Sequence, residues 1–292
     1  MPSRPAETRL APYARLPRAY RDRDVLHSTV DADGLAHWLV GRRRPRGAPA
    51  DPYDAVVVTV GNGQPRETRL STVTARFPHL AALPDGGFAV ADARSRGGDQ
   101  QVQVFDALGR PSWTFRVGDA IEHFLTDGAG DLWVGYFDEG VFGDPLSAPG
   151  VRHWTATGES VWEYRPADGA DAISDCYALN VSGRTAWVCP YTRFPLLEIG
   201  ADHRVRVREN PIRSVVGFAV HAERVVLFGR RGEQRDRLVD SRLTDTAVEP
   251  LAESRLVRPD GDPLGRRRVV SRGPRLYVQE EPATEWCVLD IG

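Results

Sequence analysis

Three histidines keep the same distance from a turn. His27, His79 and His123 each stand seven residues before a glycine (Gly34, Gly86 and Gly130), and each glycine lies in a turn between two short apolar runs. Cys176 holds the matching place before Gly183, with Asp175 beside it. If the runs that carry these residues surround a common axis, three imidazoles and a thiol or carboxylate face one another. Three His ligands with an open position make catalytic zinc sites and some non-haem iron sites. The same register also describes a polar, metal-free pocket in which the imidazoles bond to water and backbone. The spacing leaves both readings open, and a divalent metal ion is the cofactor that the first implies.

The loops after the second run of each unit carry further polar groups. They hold Arg42-Arg43-Arg44, Asp92 and Arg94, Asp138-Glu139, Tyr191-Thr192, Arg230-Arg231 and Glu280-Glu281. Arg beside carboxylates offers bidentate recognition and acid–base groups. In the metal-assisted reading, His27, His79 and His123 hold the ion and Asp138 or Glu139 is the general base or a partner of the ligands. Arg94 positions an anionic group, and Asp175, Tyr191 and Arg230 line the ligand site. Gly140, next to Asp138-Glu139, permits backbone shapes that aim side chains inward. The plainer reading is that hairpin loops are polar because they are solvated.

Cys176 and Cys189 are equally far from the centre of the Val181–Arg184 turn, so a two-residue hairpin sets them opposite each other. They read as a metal-binding or redox pair, or as two reduced, buried cysteines. The chain contains no G-x-S-x-G elbow, no P-loop and no H-E-x-x-H, which removes the corresponding enzyme classes. It contains no Lys, all 38 basic residues being Arg, so Schiff-base chemistry is confined to the N-terminus.

Hairpins must position these residues. Turn pairs recur at Asp33-Gly34, Asp85-Gly86, Gly130-Asp131, Ser182-Gly183, Ala222-Glu223 and Arg272-Gly273. Their spacing, about 40–53 residues, is that of four-stranded propeller blades. Alternation of Val, Phe and Trp, broken at Gly or Asp, marks antiparallel strands. The reading is all-β, with almost no helix: one six-bladed β-propeller over residues 1–292, its blades near 25–70, 77–117, 121–164, 173–208, 215–249 and 266–291. The sixth unit lacks an outer strand, and Thr8 to Leu16 is available to complete it and close the ring. Pro250 to Gly265, rich in Arg, Pro and Asp, reads as a long loop.

A formal charge of −2 shows no basic footprint for nucleic acid. Three cysteines are too few for a disulfide scaffold, and Met1 to Asp24 lacks the apolar stretch of a secretory signal. No apolar run reaches membrane-spanning length, so a cytoplasmic protein without membrane partners is expected. Two classes of function stand side by side. One is binding of a small molecule at the channel mouth, extending to metal-assisted hydrolase or lyase chemistry; the other is a non-catalytic platform for a protein partner.

The segments Trp133–Gly143 (WVGYFDEGVFG) and Asp175–Val181 (DCYALNV) resemble a group of propeller-like proteins of actinobacteria, over about Phe77 to Gly229. That resemblance implies a fold and carries no activity with it. More loosely, the blade pattern is similar to the six-bladed class of NHL repeats and SMP-30/gluconolactonase-type enzymes. The likeness implies a divalent metal on carboxylate and Asn side chains near the axis, from which the His-rich register here departs.

Overall fold

The computed structural model describes residues 6–42, 51–61, 64–95, 100–166, 168–229 and 235–292. The chain forms two compact units, one of residues 14–165 and one of residues 1–13 with 166–292. Two short strands, β1 (Glu7–Arg9) and β2 (Ala11–Arg15), come first and join the sheets of the later strands Val248–Val257 and Glu285–Asp290.

The unit of residues 14–165 holds three antiparallel meanders of four strands each. They are β3 (Asp24–Val30), β4 (Ala36–Gly41), β5 (Tyr53–Gly61) and β6 (Gln64–Val73); then β7 (Pro78–Ala82), β8 (Phe88–Asp92), β9 (Val102–Phe105) and β10 (Pro111–Phe115); then β11 (Ile121–Thr126), β12 (Leu132–Tyr136), β13 (Val151–Trp154) and β14 (Ser160–Glu163). Inner strands are covered on both faces: every residue of β4 and of β12 is buried, the polar His37 of β4 included. The outermost strands β6 and β10 expose most of their residues. First strands of consecutive meanders are neighbours, β3 beside β7 and β7 beside β11. The core lies between the sheets: Leu39, Val57 and Leu70 meet Leu80, Phe88 and Phe105, and Ala91 and Val104 meet Phe124, Val134 and Tyr136. Each large side chain buried in this way contributes roughly 1.5–3 kcal/mol.

The turn chemistry explains why this pattern is so regular. In the turns 31–35, 83–87 and 127–131 the first residue bonds the fifth residue's carbonyl, and the glycine N–H bonds back to the first residue's carbonyl. The glycine is left-handed each time (Gly34 φ 84, Gly86 φ 85, Gly130 φ 93), which a side chain resists.

The other unit holds β15 (Asp175–Ser182), β16 (Thr185–Tyr191), β17 (Leu196–Ile199) and β18 (Val205–Arg208); then β19 (Val215–His221), β20 (Arg224–Gly229), β21 (Arg237–Leu243) and β22 (Val248–Val257); then β23 (Arg267–Arg272), β24 (Arg275–Glu280) and β25 (Glu285–Asp290). β1 runs parallel to β22 as a fifth strand, and β2 lies outside β25, supplying the fourth strand that the last meander lacks. A parallel bridge between Asn180 and Ser271 joins β15 to β23 and fuses two meanders into an eight-stranded sheet. β15, β19 and β23 are mutual neighbours. Turns here are shorter: Ser182 pairs with Thr185, His221 with Arg224 and Arg272 with Arg275.

Two expectations are corrected. Pro250 to Val257 is strand, not loop: Pro250 pairs with Ser241 at a register irregularity, where a missing N–H is tolerated. A six-residue helix, α1 (Asp138–Gly143), follows β12 where a hairpin loop is expected.

Candidate functional site

The register sets the three histidines alike. His27 pairs with Leu39, His79 with Ala91 and His123 with Gly135, in the first half of β7 and β11 and at the middle of β3. Before His27 and before His123 the register shifts by a bulge, a device that re-aims the side chains after it. His27 and His79 lie ring to ring, centroids 4.7 Å apart, and His27 Nδ1 accepts the Leu80 N–H at 3.2 Å. His27 is buried, whereas His79 and His123 are half-buried. The three do not bring their ligand atoms within 4.8 Å of one another; among the described residues, one set of three does so, formed by Asp127, Asp131 and His153.

The same end of the second and third meanders carries an ordered polar group. Asp92, ending β8, accepts the N–H groups of Arg76 (3.1 Å), Phe77 (3.2 Å) and Arg94 (3.2 Å), which fixes the chain around Arg94. The Arg94 guanidinium lies 4.7 Å from the Phe137 ring centroid and donates to Glu139 Oε2 at 2.6 Å. Glu139 and Asp138 form the first turn of α1, where carboxylates suit the helix N-terminus. Both are exposed. Gly140 serves a purpose other than the one its sequence context suggests: a Cβ there would come within 2.3 Å of the Asp119 carbonyl, so its absence lets α1 lie against that strand entry. Asp144 holds the other end of α1, accepting from the N–H groups of Asp119 (3.1 Å) and Leu146 (2.9 Å) and from the Arg116 guanidinium.

Asp175, Tyr191 and the cysteines belong to the other unit. Asp175 pairs with Tyr191, and Tyr191 stacks on Tyr177 at 5.7 Å. Cys176 does not oppose Cys189. A register irregularity between Asp175 and Ala178 sets Ala178 opposite Cys189 instead, and none of the three cysteines is in a disulfide. Burial pushes the Cys189 thiol up to about 12, well away from metal-binding or redox reactivity. Glu280 is taken by Arg258, at 2.7 and 3.1 Å, and by the Gly265 N–H. Arg43, Arg44, Arg230 and Arg231 lie outside the described residues.

Asp127, Asp131 and His153 escape a reading of the sequence because their spacing matches no ligand motif. Asp127 begins and Asp131 ends the turn between β11 and β12, and His153 lies in β13, opposite Trp133. His153 Nε2 is 3.5 Å from Asp127 Oδ2 and 4.0 Å from Asp131 Oδ2. Burial raises the Asp127 carboxyl, but His153 and the N–H groups of Ala129 and Asp131 outweigh it and hold the group below its ordinary value. The available signal was an internal one, the recurrence of Asp at the first turn position in Asp31 and Asp127.

No protein-family model matches the chain, and no curated protein matches it in sequence. Solved structures do. A chain of the mitotic checkpoint complex is similar over 92% of this chain and 76% of its own, at a TM-score of 0.55 and 11% identity. Hsv2 of Kluyveromyces lactis is similar over 92% and 74%, at 0.54 and 8% identity. A gluconolactonase of Xanthomonas campestris aligns over 98% of both chains at 0.47 and 13% identity, a likeness too low to bear on activity. At these identities the likeness is one of fold. Together with the repeated four-stranded meanders it supports an all-β protein of β-propeller type.

Proposed function

We propose that this chain is a single six-bladed β-propeller, completed by its N-terminal strands, that binds a small anionic molecule on the face bearing Arg94, Asp138 and Glu139. His27, His79 and His123 are polar residues on that same face, and in the sequence pattern Asp175 and Tyr191 hold corresponding places in a later repeat. The observation that carries the reading is Arg94. Its guanidinium is held over Phe137 and against Glu139 by an Asp92 carboxylate that orders the surrounding backbone. Such a cation can exchange its intramolecular carboxylate for that of a ligand, and Glu139 is then released as a base. A cytoplasmic location fits three cysteines that form no disulfide.

A second reading is a protein-interaction platform. Phe77, next to β7, and Phe142, on α1, are 55% and 78% exposed at the same end of their sheets. The test is a thermal-shift screen of small carboxylic and phosphoric acids, with and without divalent ions. A rise in Tm with one acid class, lost in Arg94→Ala, supports the ligand reading. A flat screen, with a partner chain co-purifying until Phe142→Ser is made, supports the platform.

A further inference from the structure

We propose that Asp127, Asp131 and His153 hold a divalent transition-metal ion, with zinc the best match, at the end of the third meander opposite to the ligand-binding face. The three ligand atoms come from the first and last residues of one turn and from the strand beside it, and all lie within 4.8 Å of one another. His153 Nε2 stands 3.5 and 4.0 Å from the two carboxylate oxygens, beyond good hydrogen-bond length. Zinc bonds of about 2.0–2.1 Å at tetrahedral angles separate ligands by about 3.4 Å, so a small inward shift seats the ion.

The first meander supplies an internal comparison. Its equivalent turn begins with Asp31, whose Oδ1 accepts from Asp33 and Leu35 N–H as Asp127 Oδ1 accepts from Ala129 and Asp131 N–H. There, however, the second oxygen closes on His37 Nε2 at 2.8 Å, and His37 Nδ1 meets Thr59 Oγ1 at 2.9 Å. That hydrogen-bonded chain is complete without an ion, and Leu35 stands where the third meander has Asp131. In the third meander Trp133 occupies the place of His37 and His153 the place of Thr59. His153 lies flat on Trp133, centroids 4.3 Å apart at 13°, which fixes the plane of its ring. Two carboxylates then converge on one imidazole where the other turn has a single pair.

Asp127 is 3% exposed and His153 5%, and two carboxylates grouped there are balanced by a divalent charge. Asp131 is half-buried and leaves one side open for water as a fourth ligand. One imidazole with two carboxylates suits zinc or manganese better than magnesium or calcium. The ion would pin the turn to β13 and so stabilise the third meander.

The experiment is a zinc chloride titration of the EDTA-treated, dialysed full-length protein, followed by calorimetry and thermal unfolding. Two variants, Asp131→Leu and His153→Thr, copy the first meander. Wild type is expected to bind one zinc per chain and to gain about 5 °C or more in Tm at a hundredfold excess over Kd, with both variants losing the gain. No gain in wild type overturns the proposal, as does an equal gain in Asp131→Leu or a gain from calcium but not zinc. Should His153→Thr fail to fold, the partly exposed Asp131→Leu decides alone.

Discussion

Asn180 grips Gly273 by both of its backbone polar groups: its Oδ1 accepts the Gly273 N–H at 2.6 Å and its Nδ2 donates to the Gly273 carbonyl at 3.0 Å. The same Nδ2 donates to the Phe218 carbonyl at 2.8 Å. One fully buried amide therefore ties β15 to β19 and to the turn after β23. Asn180→Ala leaves the Gly273 N–H without that acceptor, and an unsatisfied buried group costs about 1–3 kcal/mol. The expected result is a loss of about 2 kcal/mol in urea unfolding, with the m-value unchanged. Asn180→Asp keeps an acceptor yet loses the donor and buries a charge, so it should be no better. A loss under about 0.5 kcal/mol would show that the three strands hold without the amide.

Gly140 is a sensitive position near the proposed ligand face. A methyl group there must displace both the Asp119 carbonyl at 2.3 Å and the Ala120 side chain at 2.8 Å, and overpacking of this kind costs typically 1–3 kcal/mol. Gly140→Ala should destabilise the protein by that amount. Because α1 carries Glu139, it should also weaken any ligand binding that depends on the Arg94–Glu139 pair. Unfolding curves and the acid screen measure the two effects on one sample.

Alkaline pH should destabilise the fold through a buried thiol and two buried phenols. Burial holds the Cys189 thiol at about 12, and it raises the phenols of Tyr136 and Tyr277. The sign follows from the raised folded values. Below about pH 8.5–10, where these groups titrate in an unfolded chain, their contribution is fully present. As pH rises further, the unfolded chain loses protons that the folded chain keeps, and stability falls. Unfolding free energy measured from pH 8 to 11 should decline steadily. Tyr136→Phe gives up the hydrogen bond to the Val117 carbonyl at neutral pH but should flatten the alkaline slope. An unchanged slope would place the effect elsewhere. By the same burial, iodoacetamide should modify the half-buried Cys287 of the folded protein before Cys176 or Cys189, as read by mass spectrometry.

The hairpins are legible in the sequence because their turns impose a chemistry. A left-handed glycine at 34, 86 and 130 and an oxygen acceptor at Asp31 and Asp127 leave visible marks between apolar runs. The common register of His27, His79 and His123 follows from equal turn lengths and is legible for the same reason. Cys176 fails to follow because its hairpin has a two-residue turn and an irregular stretch at 175–178, and neither changes the composition. α1 is too short for a helical period to show. β22 is masked by Pro250 and by four successive exposed residues, since its inner face and the parallel β1 come from distant sequence. The pairing of Asp127 with His153 depends on which strand of the meander carries the imidazole, and only the register decides that.

Arg94 and Glu139 offer the cleanest separation of folding from function. Their side chains are 39% and 59% exposed, and an ion pair so open to solvent contributes about 0–1 kcal/mol once side-chain entropy and screening are counted. Arg94→Ala and Glu139→Gln should therefore each shift the urea midpoint only slightly, and less at high salt. Asp92, not the pair, orders this backbone through three N–H groups, so Asp92→Ala should destabilise the protein by more than either variant. If instead Arg94→Ala lowers stability by about 2 kcal/mol or more, the guanidinium is a structural tie rather than a group held ready for an acid. The ligand face would then lose its central residue.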